Sequence, residues 1–184
     1  MAIARTIRTK AKSKPVEDVI LFTVHGMRFV IAANAVEEIR NMDGLHPLHI
    51  GKSTQLRKVK FALTQHNASQ EHVHFVVDAA QHFRLAPSAE SNTSRVLVLR
   101  KSVAALLVDS TERMTQITAV IALPLAFNGE ERHWYRGLAL VENTMVPVVA
   151  PEAFLNKPEE AVLRADWITS HSEDQGSLKK AFTA

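Results

Sequence analysis

Four histidines fall within residues 65–83, QHNASQEHVHFVVDAAQHF, and two of them could begin a metal site. His72 and His74 alternate, so on a strand both imidazoles leave the same face. A catalytic zinc would need a third protein ligand and a group to activate its bound water. His66 upstream and Asp78 downstream are candidates, so a metal-dependent enzyme using His72, His74 and Asp78 is one reading. The other is a half-exposed strand with both histidines on its wet face, because polar residues alternate there in any case. No His-Glu-x-x-His or comparable pattern adds weight to the metal.

Other chemistry finds less support. There is no cysteine, which excludes thiolate zinc sites, disulfides and cysteine nucleophiles. The six glycines stand singly, so no loop is built to cradle a phosphate, and no Gly-x-Ser-x-Gly elbow is present. Asp78 and Asp109 each end an apolar run (FVVD, LLVD), where an aspartate ordinarily caps the turn or helix that follows. Trp134 and Tyr135 suit either an interface anchor or the core. No cofactor is implied.

The elements that must position these groups are short strands. Apolar residues make up 46% and charged residues 22%, enough apolar side chain to build a core rather than a disordered chain. VILFTV (residues 19–24) and RFVIA (28–32) flank His25-Gly26 at hairpin spacing. VLVLRKSVAALLV and LALVENTMVPVV read as further hairpins, with tips at Lys101-Ser102 and Glu142-Asn143-Thr144. Short strands at this spacing predict barrels or a sandwich. One helix is predicted after Pro158, with Val162, Leu163 and Trp167 near one face, fraying from Thr169 onward. Residues 73–83 and 145–155 align without a gap, as two similar small units in tandem would.

No apolar run approaches the ~20 residues of a membrane helix, and the first residues lack a secretory segment; a cytoplasmic location is predicted. Arg5, Arg8, Lys10, Lys12 and Lys14 carry more than the whole net charge of +3, so the remainder is mildly acidic. A basic tail on such a body reads as a solvated arm, with nucleic-acid binding through that tail as the alternative. Glu37, Glu38 and Arg40, beside Val36 and Ile39, form either a solvated strand edge or a docking edge; the two apolar side chains are expected to point inward.

At VILFTVHGMRFVIAANAVEEIRNMDGL the chain resembles the CheW-type chemotaxis coupling domain. Phe22, the His25-Gly26 turn, Phe29, Ile31 and the Val36, Glu38, Ile39, Arg40 segment fall on that family's opening pattern. HFVVDAAQHFRL resembles its Pro-Val-Val-Asp-Leu segment, with Phe75 in place of proline. RVLVLRKSVAALLVDSTERM and WYRGLALVENTMVPVVAPEAFL resemble its later strand pairs.

The resemblance implies a mainly β fold of two small five-stranded SH3-like barrels side by side, with a C-terminal helix. It divides the chain into a basic tail (residues 1–17), a CheW-like domain (18–156) and a helix with a polar tail (157–184). It also implies a non-catalytic adaptor that binds the regulatory domain of a CheA-type histidine kinase and the cytoplasmic tips of methyl-accepting chemoreceptors. Val36, Glu38, Ile39 and Arg40 fall on the implied docking edge. The family usually has Asn-Leu-Arg-Gly before the Val-Val-Asp strand, whereas this chain has Ala68-Ser69-Gln70-Glu71. Gln70 and Glu71 thus stand at a signalling contact with the charge reversed, which implies altered partner specificity.

Overall fold

The apolar runs form hairpins. β1 (Glu17–Val24) and β2 (Met27–Ala32) turn on His25 and Gly26, at φ 49° and 73°. This is a two-residue primed turn, whose positive φ suits glycine. β7 (Arg95–Leu99) and β8 (Ala104–Val108) form a second hairpin. β10 (Tyr135–Val141) and β11 (Thr144–Val149) form a third, turning on Glu142 and Asn143 at φ 49° and 64°. The remaining strands are β3 (Val36–Arg40), β4 (Leu45–Pro47), β5 (Val59–Asn67), β6 (Gln70–Asp78) and β9 (Ser110–Ile117). Among the described residues there are also two α-helices, α1 (Ala79–His82) and α2 (Lys157–Ala181). These elements come from a computed structural model that describes residues 16–48, 56–67, 70–86 and 91–181, with the backbone alone at 66–67, 70–71 and 170–181. The predicted basic tail lies almost wholly outside the described residues.

The strands make two sheets, ordered β10-β11-β2-β1-β9 and β3-β7-β8-β6-β5-β4. The expectation of two closed five-stranded barrels needs correction: one sheet has six strands, and each order has two edges. The chain runs from one edge of the second sheet, β3, to its opposite edge, β4. In the first sheet β9 leads to Ile121, which bridges Leu138 on β10. Both sheets therefore curl towards closure without joining edge to edge by a backbone ladder.

Curling leaves both faces of the central strands buried, which is why their sequences are apolar without interruption. Ile20, Phe22, Phe29 and Ile31 from one sheet meet Phe75, Val77, Leu97 and Leu106 from the other in the main core. The alternate residues Val19, Leu21 and Val30 face a small core within the first sheet. Leu63, Val76, Val96 and Val98 form its counterpart in the second.

The two sheets repeat one plan. β2 runs parallel to β11 and β8 runs parallel to β6; β9 pairs with β1 and β3 pairs with β7. The tandem similarity of residues 73–83 and 145–155 thus corresponds to equivalent places, β6 with α1 and β11 with the short 3-10 turn Pro151–Ala153. The aligned residues His82 and Phe154 meet in the core, ring centroids 4.8 Å apart. Trp134 and Tyr135 also pack against this core.

α2 begins with a reciprocal cap. Asn156 Oδ1 accepts from Glu159 N–H and Glu159 Oε2 accepts from Asn156 N–H, both at 2.9 Å, with Pro158 in the first turn. Leu163 is buried and Trp167 packs on the core. The predicted fraying from Thr169 is not seen: the backbone stays helical to Ala181, since helical hydrogen bonds close within the segment itself. Among the described residues no helix is long and apolar enough to cross a membrane.

Candidate docking surface

β3 is an edge strand with a bulge. Val36 lies opposite Leu99, but Glu38 lies opposite Val98, so Glu37 is the extra residue. The insertion puts Ile39, opposite Leu97, on the same face as Val36. Val36 is buried, as expected. Ile39 shares the inward face but lies off the core and is 42% exposed, which corrects the expectation that it would be covered. Glu37 and Glu38 are exposed and Arg40 is half-buried. Arg100 fixes the start of the strand, its N–H donating to the Ala35 carbonyl at 2.8 Å.

Glu38 is held at both oxygens. Arg40 Nε lies 3.5 Å from Oε1, and Gln65 Nε2 donates to Oε2 at 3.1 Å. Gln65 belongs to β5, so this bond spans part of the gap between the edges of the curled sheet. It also joins the two segments that the sequence singled out. Gln65 lies opposite His72, His66 opposite Glu71, and Asn67 opposite Gln70. Glu38 is therefore tied to the same hairpin, two residue pairs from the Asn67–Gln70 pair at its end. Ala68 and Ser69, and the side chains of His66, Gln70 and Glu71, lie outside the described residues.

The histidines of β6 do not share one environment. His72 is exposed, but His74 is buried, and its Nδ1 has no hydrogen-bond partner among the described residues. The wet-face expectation fails for His74 because its cross-strand neighbour is Leu63, in the small core of the curled sheet. Burial pushes the His74 pKa below its ordinary value, against the attraction of Glu37. Asp78 caps α1: its Oδ1 accepts from Ala80 N–H at 2.9 Å and Gln81 N–H at 3.3 Å, while Oδ2 pairs with Lys60 at 2.5 Å. Among the described residues no three histidine or acidic side chains are grouped to hold a metal. Asp109 likewise serves a turn, accepting from His25 N–H at 2.6 Å.

A larger cleft of about 870 Å³ lies beside His82 and Trp134. Two of its cations are paired, Lys58 with Glu159 and Arg84 with Glu130. His82 Nε2 is sealed from it and has no hydrogen-bond partner among the described residues, and burial holds the His82 pKa down at about 3.

The CheW-like domain family matches residues 18–159, which span every strand from β1 to β11. The chain belongs to the CheW-like domain family. A solved structure, the scaffolding protein TtCheW from Thermoanaerobacter tengcongensis, is similar in fold, with a TM-score of 0.60 at 14% identity, covering 74% of this chain and 90% of that one. No curated protein sequence matches the chain significantly. All six docking residues drawn from the sequence lie within the CheW-like match, whereas α2 beyond Glu159 lies outside it. The sequence alone did not single out Gln65, which ties Glu38 in place; that bond depends on the curl of the sheet and leaves no local pattern.

Proposed function

We propose that this CheW-like chain is a non-catalytic cytoplasmic adaptor coupling chemoreceptors to a CheA-type histidine kinase. The docking element is the β3 edge with Glu38, Ile39 and Arg40, continued by the hairpin end at Gln70 and Glu71. The observation that carries this reading is an edge strand, in a CheW-like domain, that combines an exposed apolar side chain with an oriented charge. Ile39 offers apolar area, Glu38 a carboxylate fixed by Gln65 and Arg40, and the strand edge main-chain groups for a partner. Val36 supports the strand from inside the core. Reversing charge at Glu38 removes the carboxylate and repels the partner's complementary group.

The test is binding of the purified regulatory domain of a CheA-type kinase, and of a receptor tip fragment, by wild type and Glu38→Lys. Weakening of about 10-fold or more is expected for at least one of them, with an unchanged melting temperature. Wild-type affinity in the variant would remove the site assignment, and failure of the wild type to bind either protein would remove the function.

A further inference from the structure

Asn128-Gly129 is the one Asn-Gly pair in the chain, and both residues are exposed. An asparagine followed by glycine can react with its own backbone. The Gly129 nitrogen reaches the Asn128 side-chain carbonyl carbon with little hindrance, because glycine has no Cβ, and asparagine is among the least heat-durable residues.

The surrounding loop pins this pair on both sides. The Phe127 N–H donates to the Pro124 carbonyl at 3.0 Å, and the Phe127 carbonyl accepts from Arg132 Nη1 at 3.1 Å. The Gly129 carbonyl accepts from the Arg132 N–H at 3.2 Å, at the entry to the 3-10 turn Glu130–His133. The Gly129 N–H, which belongs to the attacking nitrogen, donates to Glu131 Oε1 at 2.9 Å. The carboxylate lies so closely over Gly129 that a Cβ there would run into it. Glu131 also accepts from its own N–H, and the two bonds hold its carboxyl below the usual carboxylate range. It is therefore ionised at neutral pH, and a charged acceptor holds an N–H more firmly than a neutral one. That bond must break before the nitrogen can turn on Asn128. The carboxylate also opposes the negative charge that develops on the nitrogen as it attacks.

We propose that Asn128 is a deamidation site held in check by Glu131. The Gly129 nitrogen attacks Asn128 Cγ: the N–Cγ bond forms, the Cγ–Nδ2 bond breaks, and Nδ2 leaves as ammonia with the Gly129 amide proton. Water then opens the cyclic imide at either carbonyl, giving aspartate or isoaspartate. Isoaspartate lengthens the backbone between Phe127, whose ring packs on Tyr135 with centroids 6.4 Å apart, and the turn that carries Glu130 and Trp134 into the wall of the large cleft. Release of the check thus alters the charge and shape of that wall. The site is independent of the docking role proposed for β3.

The test incubates the full chain at neutral pH and physiological temperature as wild type, Glu131→Gln, Glu131→Ala and Asn128→Gln, sampled over weeks. Peptide mass spectrometry with chromatographic separation reads conversion at residue 128 and resolves aspartate from isoaspartate, and the urea-unfolded wild-type chain supplies the unchecked rate. Melting temperature is recorded for each variant. Glu131→Ala is expected to convert several-fold faster than folded wild type, with Glu131→Gln in between and no such product from Asn128→Gln. If Glu131→Ala melts below wild type, faster conversion in Glu131→Gln decides the outcome. Conversion at the wild-type rate or slower in both Glu131 variants overturns the role of Glu131, as does folded wild type converting as fast as the unfolded chain. No conversion in any folded form, while the unfolded chain converts, overturns the site itself.

Discussion

His82 sits among Phe83, Trp134 and Phe154 with a ring nitrogen unsatisfied, in a core that is otherwise apolar at that point. Its folded pKa of about 3 lies below the ordinary value of 6.5, so between those values the unfolded chain binds a proton that the folded one does not. Stability is therefore full above pH 6.5 and falls as the pH drops towards 3, by at most about 1.4 kcal/mol per pH unit from this group. The buried His74 acts in the same direction. Denaturant titrations at pH 7 and pH 5 should show a lower midpoint at pH 5. His82→Phe, which copies the aligned Phe154, should raise stability at pH 7 by about 1 kcal/mol and remove much of that pH dependence. Gly137 is constrained by close approach: a Cβ there would lie 2.6 Å from Val120 Cγ1 and closer still to the Ile121 carbonyl. Gly137→Ala should cost about 2–4 kcal/mol, read as a shift of the denaturation midpoint. At this scale the sequence was informative about parity and silent about cover. His72 and His74 do share a face, but which of them meets water depends on Leu63 across the strand pair and on how far the sheet curls.

At the scale of elements, turns and caps were the most legible features, because their chemistry is local. His25-Gly26 makes the tight turn its residues require, Asp78 caps α1, and Pro158 lies in the first turn of α2. The reciprocal Asn156–Glu159 cap should contribute about 1 kcal/mol. Asn156→Ala is expected to lower the melting temperature and to speed amide exchange in the first turns of α2, with β-sheet amides unchanged. Strands β5 and β9 left weaker signatures. VKFALTQHN and STERMTQI mix polar and apolar residues because they lie at or near sheet edges, where one face or one end meets solvent. β3 was legible as an edge, yet its bulge at Glu37 was not, since a bulge is defined by the partner strand. That bulge decides where Ile39 faces, and with it the apolar part of the proposed docking edge.

The whole molecule is two copies of one strand plan that exchange an edge: β3 leaves the first hairpin to pair in the second sheet, and β9 leaves the second hairpin to pair in the first. The repeat was faintly legible in the alignment of residues 73–83 with 145–155, where Val76, Val77 and His82 are buried like Val148, Val149 and Phe154. Closure of the barrels was not legible, because it depends on whether the last pair of edges comes within hydrogen-bonding reach. In the second sheet the Gln65–Glu38 side-chain bond spans part of that gap. Such a body offers exposed edges and rims, and the proposed adaptor role requires it to hold two partners at once. The most direct measurement is therefore co-sedimentation of a CheA-type kinase with clustered receptor tip fragments, with and without this protein. The account predicts that the kinase pellets with the receptor only when the protein is present, that the protein pellets with them, and that Glu38→Lys reduces the recovery of kinase. Kinase recovery independent of the protein, with the protein left in the supernatant, would contradict it.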